Sequence, residues 1–164
     1  MPELKYPFPA CLQDRLTPEQ YRNWLKRKAG GLVRRDRGRG NRIATVSIYK
    51  EAIHQALLRD GADDWYTGEH VDWHLVLTYD NDASQAAGRC EKARLARLPT
   101  IDHEDDGLGS PRFRICGWAV NDAKNDLSHE AFVSLCHRVV THAQKAKSPE
   151  TPEAASVSQG QAHE

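Results

Sequence analysis

Residues 98–132 read LPTIDHEDDGLGSPRFRICGWAVNDAKNDLSHEAF, and the punctuation of this stretch decides the fold. Residues 98–103 predict a strand, residues 104–111 a turn-forming loop around Asp106-Gly107, and residues 112–118 a returning strand. A helical stretch is predicted from about Val120 to Gln144, with a break near Ser128. Asp102 and His103 are neighbours, and neighbours on an ideal strand point to opposite faces. Both serve one site only where the strand ends, and Asp105-Asp106-Gly107 supplies such an ending. Asn121 stands at the start of the following helix, with Lys124 and Asn125 one turn further along the same side.

Working outward, residues 1–15 are expected to be an irregular lead-in. A helix start is written at Leu16, with Thr17 as N-cap, Pro18 in the first turn, Gln20 closing a capping box and Leu16 facing Tyr21. That helix carries Tyr21, Trp24, Leu25 and Ala29 on one side and is expected to end at Gly30-Gly31. The following RRDRGRGNR, residues 34–42, predicts a loop or arm that orders when something anionic binds it. A second helix is expected over 47–59, with Ile48, Ala52, Ile53, Ala56 and Leu57 as its stripe and Gly61 as its stop. After a turn at Tyr66-Thr67-Gly68-Glu69, alternation of Val71, Trp73, Leu75 and Leu77 with His70, Asp72 and His74 predicts a strand. A third helix is expected over about 83–97, broken by Pro99. Residues 145–164 predict a disordered tail.

The chain has 164 residues, 39% hydrophobic and 28% charged, which suits one compact domain with polar ends; the elements read along it make the expected class α+β, N-terminal helices with a basic arm on a ββα module. No apolar run approaches a membrane span, and the first ten residues lack a secretory apolar core, so the expected address is the cytoplasm. The four cysteines, Cys11, Cys90, Cys116 and Cys136, form no CxxC pair. They read as free, mostly buried thiols, with Cys136 on an apolar helix face. The formal net charge is zero, but it is unevenly spread. Arg34, Arg35, Arg37, Arg39 and Arg42 face the single acid Asp36, whereas acids gather at Asp102, Glu104, Asp105 and Asp106. A basic arm beside an acidic knot suits contact with phosphates on one part and a cation on the other.

The segment VNDAKNDLSHEAF resembles the closing signature of the HNH (ββα-metal) nucleases, in Asn121, Lys124, Asp126, Ser128, Glu130 and Phe132. Asp102-His103 is similar to the Asp-His that opens the same signature. The turn at residues 66–69 looks like the first hairpin of such modules. The resemblance covers residues 63–144; the helical region 16–62 with its basic arm lies outside it. It implies a metal-dependent endonuclease that hydrolyses phosphodiester bonds, DNA in preference to RNA. His103 is then the general base. Asp102 and Asn121, with Asn125 as the alternative, hold one divalent cation, Mg²⁺ or else Mn²⁺ or another transition metal. A neutral imidazole accepts a proton near neutral pH, and a hard cation needs only one or two protein oxygens. Arg34, Arg35, Arg37, Arg39, Arg42 and Lys124 are the expected nucleic-acid contacts.

Two departures from the family stand out. Its members usually carry a second Asn nine positions before the metal Asn, where it braces the loop holding the base; here that position is Arg112. The zinc-binding cysteines of many members are absent, so no structural zinc is expected, and Trp65, Tyr66 and Trp73 are left to close the turn by packing. His129 is expected on an exposed first helical turn. His137 and His142 are poorly spaced to share a metal, and His70, Asp72 and His74 read as a solvated strand face. The competing functional reading is a non-catalytic DNA-binding or protein-interaction module on a degenerate HNH scaffold.

Overall fold

The computed structural model describes residues 5–79 and 93–147. Among these, the architecture is α+β, with five α-helices and one two-stranded antiparallel sheet. The chain divides into two compact units, Met1–His129 and Glu130–Glu164. The expected helix over 83–97 falls mostly on residues outside the described ones, as does most of the expected tail. No helix among the described residues is long and apolar enough to cross a membrane.

Helix α1, Pro18–Arg39, begins as its sequence dictates: the Thr17 hydroxyl accepts from the Gln20 backbone amide, and the Gln20 side-chain oxygen accepts from the Thr17 backbone amide. Leu16 and Tyr21 are both buried beside that cap. The helix does not stop at Gly30-Gly31. Its buried face continues through Leu32, Val33 and Asp36, and the chain turns only at Gly40, which takes the left-handed conformation with φ 110°. Two mid-helix glycines cost roughly 1 kcal/mol each against alanine, less than burying Leu32 and Val33 returns. The expected basic arm, residues 34–42, is therefore helical up to Arg39, with Arg42 in the link beyond it.

Asn41 then closes the link to the next helix, its side-chain oxygen accepting from the amides of Ile43 and Ala44. Helix α2, Val46–Asp60, is capped by Thr45 and ended by Gly61. Its buried residues are Tyr49, Ile53, His54, Ala56 and Leu57. Ile48 is exposed, so the stripe is rotated from the expected one towards Tyr49 and His54.

Residues 71–77 do not form the expected strand. The chain turns through 73–74 into α3, Leu75–Thr78. Trp73 is buried edge-on against Trp24 at 5.0 Å, and its indole donates to the Ala62 carbonyl at 2.8 Å. A large indole anchored in this way satisfies the alternating pattern without any partner strand.

Strand β1, Pro99–His103, pairs antiparallel with β2, Phe113–Gly117, so that Asp102 faces Arg114 and His103 faces Phe113. Pro99 opens β1 instead of merely breaking a helix. Helix α4, Trp118–Lys124, follows β2 directly and packs on both strands. α1 packs on α2 and α2 on β2, around a core of Tyr21, Trp24, Trp73, Tyr49, Phe113 and Ile115. Helix α5, His129–Lys147, starts after the expected break near Ser128 and runs past residue 144. On it Cys136 is exposed, against the expectation that it is buried.

Candidate functional site

The end of β1, the loop after it and α4 surround a cleft of about 640 Å³. Asp102, His103, Asn121, Lys124 and Asn125 all line it, together with Arg35 and Arg39 from the end of α1. The strand ends at His103, which lets two consecutive side chains serve one opening. Six carboxylates line the cleft (Asp102, Glu104, Asp105, Asp106, Asp122 and Asp126) against three cationic side chains.

His103 is held from both sides by α1. Its Nε2 lies 2.8 Å from Asp36 Oδ2, and its Nδ1 lies 3.1 Å from Arg35 Nη2. A guanidinium can only donate, so Nδ1 accepts and the proton sits on Nε2, facing the carboxylate. Asp36 is fully buried, and its Oδ2 also accepts from the Tyr49 hydroxyl at 2.6 Å. Burial and that carboxylate hold the Tyr49 phenol well above its ordinary pKa, so it remains a donor. Asp36 Oδ1 has no hydrogen-bond donor among the described residues and lies 3.6 Å from Arg35 Nε. Phe113 meets the imidazole edge-on at 5.0 Å.

The loop after His103 is also pinned, from the link that follows α1. The Asn41 amide donates to the carbonyls of Gly107 at 2.7 Å and Gly109 at 3.0 Å. Gly107 has φ 72°, and a Cβ there would sit 3.2 Å from the imidazole Cδ2. Only glycine lets the loop lie so close over the ring. Arg112, at the position where the resemblance leads one to expect a bracing Asn, is exposed and lies 3.7 Å from Asp105. The bracing amide comes instead from Asn41, in the region outside the resemblance.

Asp102 is 5% exposed and accepts from the Tyr66 hydroxyl and from Lys124, whose Nζ lies 3.1 Å from Oδ2. Burial first, and then the Asp102 carboxylate, keep the Tyr66 phenol protonated well above its ordinary range. Lys124 is itself buried, so its ammonium neutralises Asp102 and is not the open phosphate contact expected from its position. A carboxylate offers about four lone-pair sites, and these two donors leave room on Asp102 for a further partner. Among the described residues no group of three or more His, Cys, Asp or Glu side chains is arranged to hold an ion. The donor set that remains, one carboxylate and the Asn121 or Asn125 amide at a water-accessible cleft rich in acids, fits a hard oxygen-binding cation that retains most of its waters. Both Asn candidates line the cleft, and Asn125 takes a positive φ of 50° at the end of α4.

The turn at 63–69 is closed by Asp64. Its Oδ1 accepts from the amides of Tyr66 and Thr67, and its Oδ2 accepts from the Gly117 amide at 2.6 Å. The Trp65 amide donates to the Ile115 carbonyl, and the Arg114 guanidinium lies 4.2 Å from the Trp65 ring centroid. The Asp64 carboxylate and the Trp65 amide thus tie the turn to β2, beside the edge-on packing of Trp65 on Tyr66.

The arginines divide by partner. Arg37 donates to the Ala44 carbonyl, Arg39 pairs loosely with Asp126 at 3.5 Å, and Arg34 and Arg42 are exposed. Asp36, Tyr49, Asn41, Tyr66 and Asp64 were not among the expected site residues. Asp36 alone carried a usable signal, as an acid in register with the apolar positions Leu25, Ala29, Leu32 and Val33. In comparisons with known proteins, no family model, curated protein or solved structure matches the chain.

Proposed function

We propose that this protein is a metal-dependent endonuclease that hydrolyses phosphodiester bonds in DNA, built on a ββα-metal module of the HNH type. The observation that carries the reading is His103. It is held as the Nε2–H tautomer by buried Asp36, with Arg35 on Nδ1, and it lines a cleft shared with Asp102 and Asn121.

In this reading the His103 Nδ1 accepts the proton of the attacking water, and Asp36 keeps the ring in the tautomer and orientation that allow it. Arg35 occupies Nδ1 in this structure. A non-bridging phosphate oxygen is a better partner for a guanidinium than an imidazole nitrogen, so an entering phosphodiester draws Arg35 away and frees the base. Asp102 and Asn121 would hold the divalent cation, Mg²⁺ or Mn²⁺, which when bound supplies Lewis-acid stabilisation of the phosphate and the leaving 3′ oxygen. A cleft with more carboxylates than cationic groups repels a polyanion, so the same residues predict that strand entry depends on added cation.

The second reading, a DNA-binding module without catalysis, is favoured by the Lys124 ammonium and Tyr66 hydroxyl already seated on Asp102. Nicking of supercoiled plasmid with Mg²⁺ or Mn²⁺ separates the two. The expected result is cutting that stops in EDTA and falls about 10²–10⁴-fold in His103→Ala, the usual contribution of a general base. Folded protein that shifts DNA but cuts with no divalent ion would establish the binding module instead.

A further inference from the structure

On the α1 side of Asn121 lies a second, smaller pocket of about 200 Å³, lined by Arg27, Lys28, Gly31, Leu32, Arg35, Thr100, Ile101 and Asn121. Its character is opposite to that of the acidic cleft: three cationic side chains line it and no acid does. Arg35 and Asn121 belong to both openings, so the two are contiguous.

Lys28 is the unusual member. It is half-buried and has no hydrogen bond or ion pair to any described residue, while Arg27 and Arg35 stand near enough to repel it. Desolvation, with a smaller contribution from those two arginines, pushes its ammonium down to about 8. An unpaired, partly desolvated cation opposes folding unless an anion satisfies it. Arg35 adds direction, since one guanidinium borders both the basic pocket and the His103 Nδ1.

We propose that this pocket seats a backbone phosphate of the nucleic-acid strand adjacent to the one cut in the cleft, with Lys28 and Arg27 as its cationic walls. This rests on the endonuclease reading above. The strand then crosses Arg35 and Asn121, with one phosphate among cationic side chains and its neighbour beside the acid-held cation. Contacts of this kind fix register without reading sequence, because a phosphate looks the same beneath every base.

The test is fluorescence anisotropy of a labelled oligonucleotide with the full chain in Mg²⁺, in a His103→Ala background so that nothing is cut, across a salt series. Lys28→Met is expected to weaken binding roughly tenfold irrespective of sequence and to reduce the slope of log affinity against log salt by about one. Lys28→Arg is expected to retain binding, and the melting midpoint of Lys28→Met not to fall, since an unpaired cation has been removed. Unchanged affinity and slope in Lys28→Met, with a parent that binds, would overturn the subsite and leave the nuclease reading standing. Binding lost equally in Lys28→Met and Lys28→Arg, with lowered melting midpoints, would mark Lys28 as structural and also overturn it. A parent that binds no oligonucleotide would overturn both.

Discussion

His103 sits between two consecutive residues of one helix, Asp36 on Nε2 and Arg35 on Nδ1. A carboxylate fixes the tautomer because it can only accept, and a guanidinium fixes the other nitrogen because it can only donate. Asp36→Asn replaces a pure acceptor with a group that can present its NH₂ to the imidazole, so the ring loses its single assignment. The expected outcome is a fall in kcat of roughly 10–100-fold, typical for loss of a group orienting a functional imidazole, with KM little changed. Steady-state nicking kinetics with a thermal melt check it, and an equal loss through KM would point to a role in binding instead. At this scale the sequence was legible for Asp102, His103, Asn121 and Asn125, all of which line one cleft. It was not legible for Asp36 or Asn41, whose partners lie 67 and 66 residues away. No local spacing reports a contact of that range.

Helix α1 shows how a local stop signal is overridden. Gly30-Gly31 reads as a terminus, yet the apolar register on either side of it is continuous, and burial of Leu32, Val33 and Asp36 carries the helix on to Arg39. At Gly30 an added Cβ meets nothing within 4 Å. Gly30→Ala is therefore expected to stabilise the fold by about 0.5–1 kcal/mol, through helix propensity and a less flexible unfolded chain. Chemical denaturation checks it: a higher midpoint at unchanged slope is the expected sign, and destabilisation would mean that the helix is interrupted there. The segment at 71–77 failed in the other direction. Its alternation was real, but Val71, Trp73 and Val76 are buried from a turn and a short helix. A period of two over so few residues does not separate a strand from a turn anchored by one large side chain.

In the first unit, α1, the link after it and α2 support the candidate site and are not an attached arm. α1 supplies Arg35 and Asp36 to His103, the link after it supplies Asn41, and α2 supplies Tyr49. Stability and the site therefore share a core, and the pKa directions within it predict a loss of stability in acid. Buried His54 shares a 2.7 Å hydrogen bond with the Tyr21 hydroxyl, and desolvation lowers its pKa. Its unfolded counterpart takes up a proton near 6.5, so stability declines as pH falls below about 6.5 until the folded state protonates as well. Asp60 and Asp63 are depressed although burial opposes it, because Arg59 and Arg114 hold the first and Arg15 and His70 the second. Their contribution is present above about 3.9 and is lost as pH falls through the lower folded values. Urea unfolding as a function of pH is expected to show two stages of decline, and His54→Gln to remove the upper one. Persistence of the upper stage in that variant would place the titrating group elsewhere.

The strands at 99–103 and 113–117, the turn between them, the capped start of α1 and the Thr45–Gly61 bounds of α2 are written locally. Each rests on hydrogen bonds or φ requirements that span only a few residues, so the sequence by itself determined them. The grouping of Asp102, His103 and Asn121 came from the resemblance, and all three line one cleft at the end of the hairpin and the start of the helix that follows it. Tertiary structure alone decided what surrounds them: Lys124 and Tyr66 on Asp102, Asp36 and Arg35 on His103, Asn41 under the loop, and Asp64 between the turn at 63–69 and β2. These are polar groups moved out of water by the packing of distant elements. A buried donor or acceptor must find a partner wherever the fold places one, and that placement is a property of the packed core, not of any short stretch of chain.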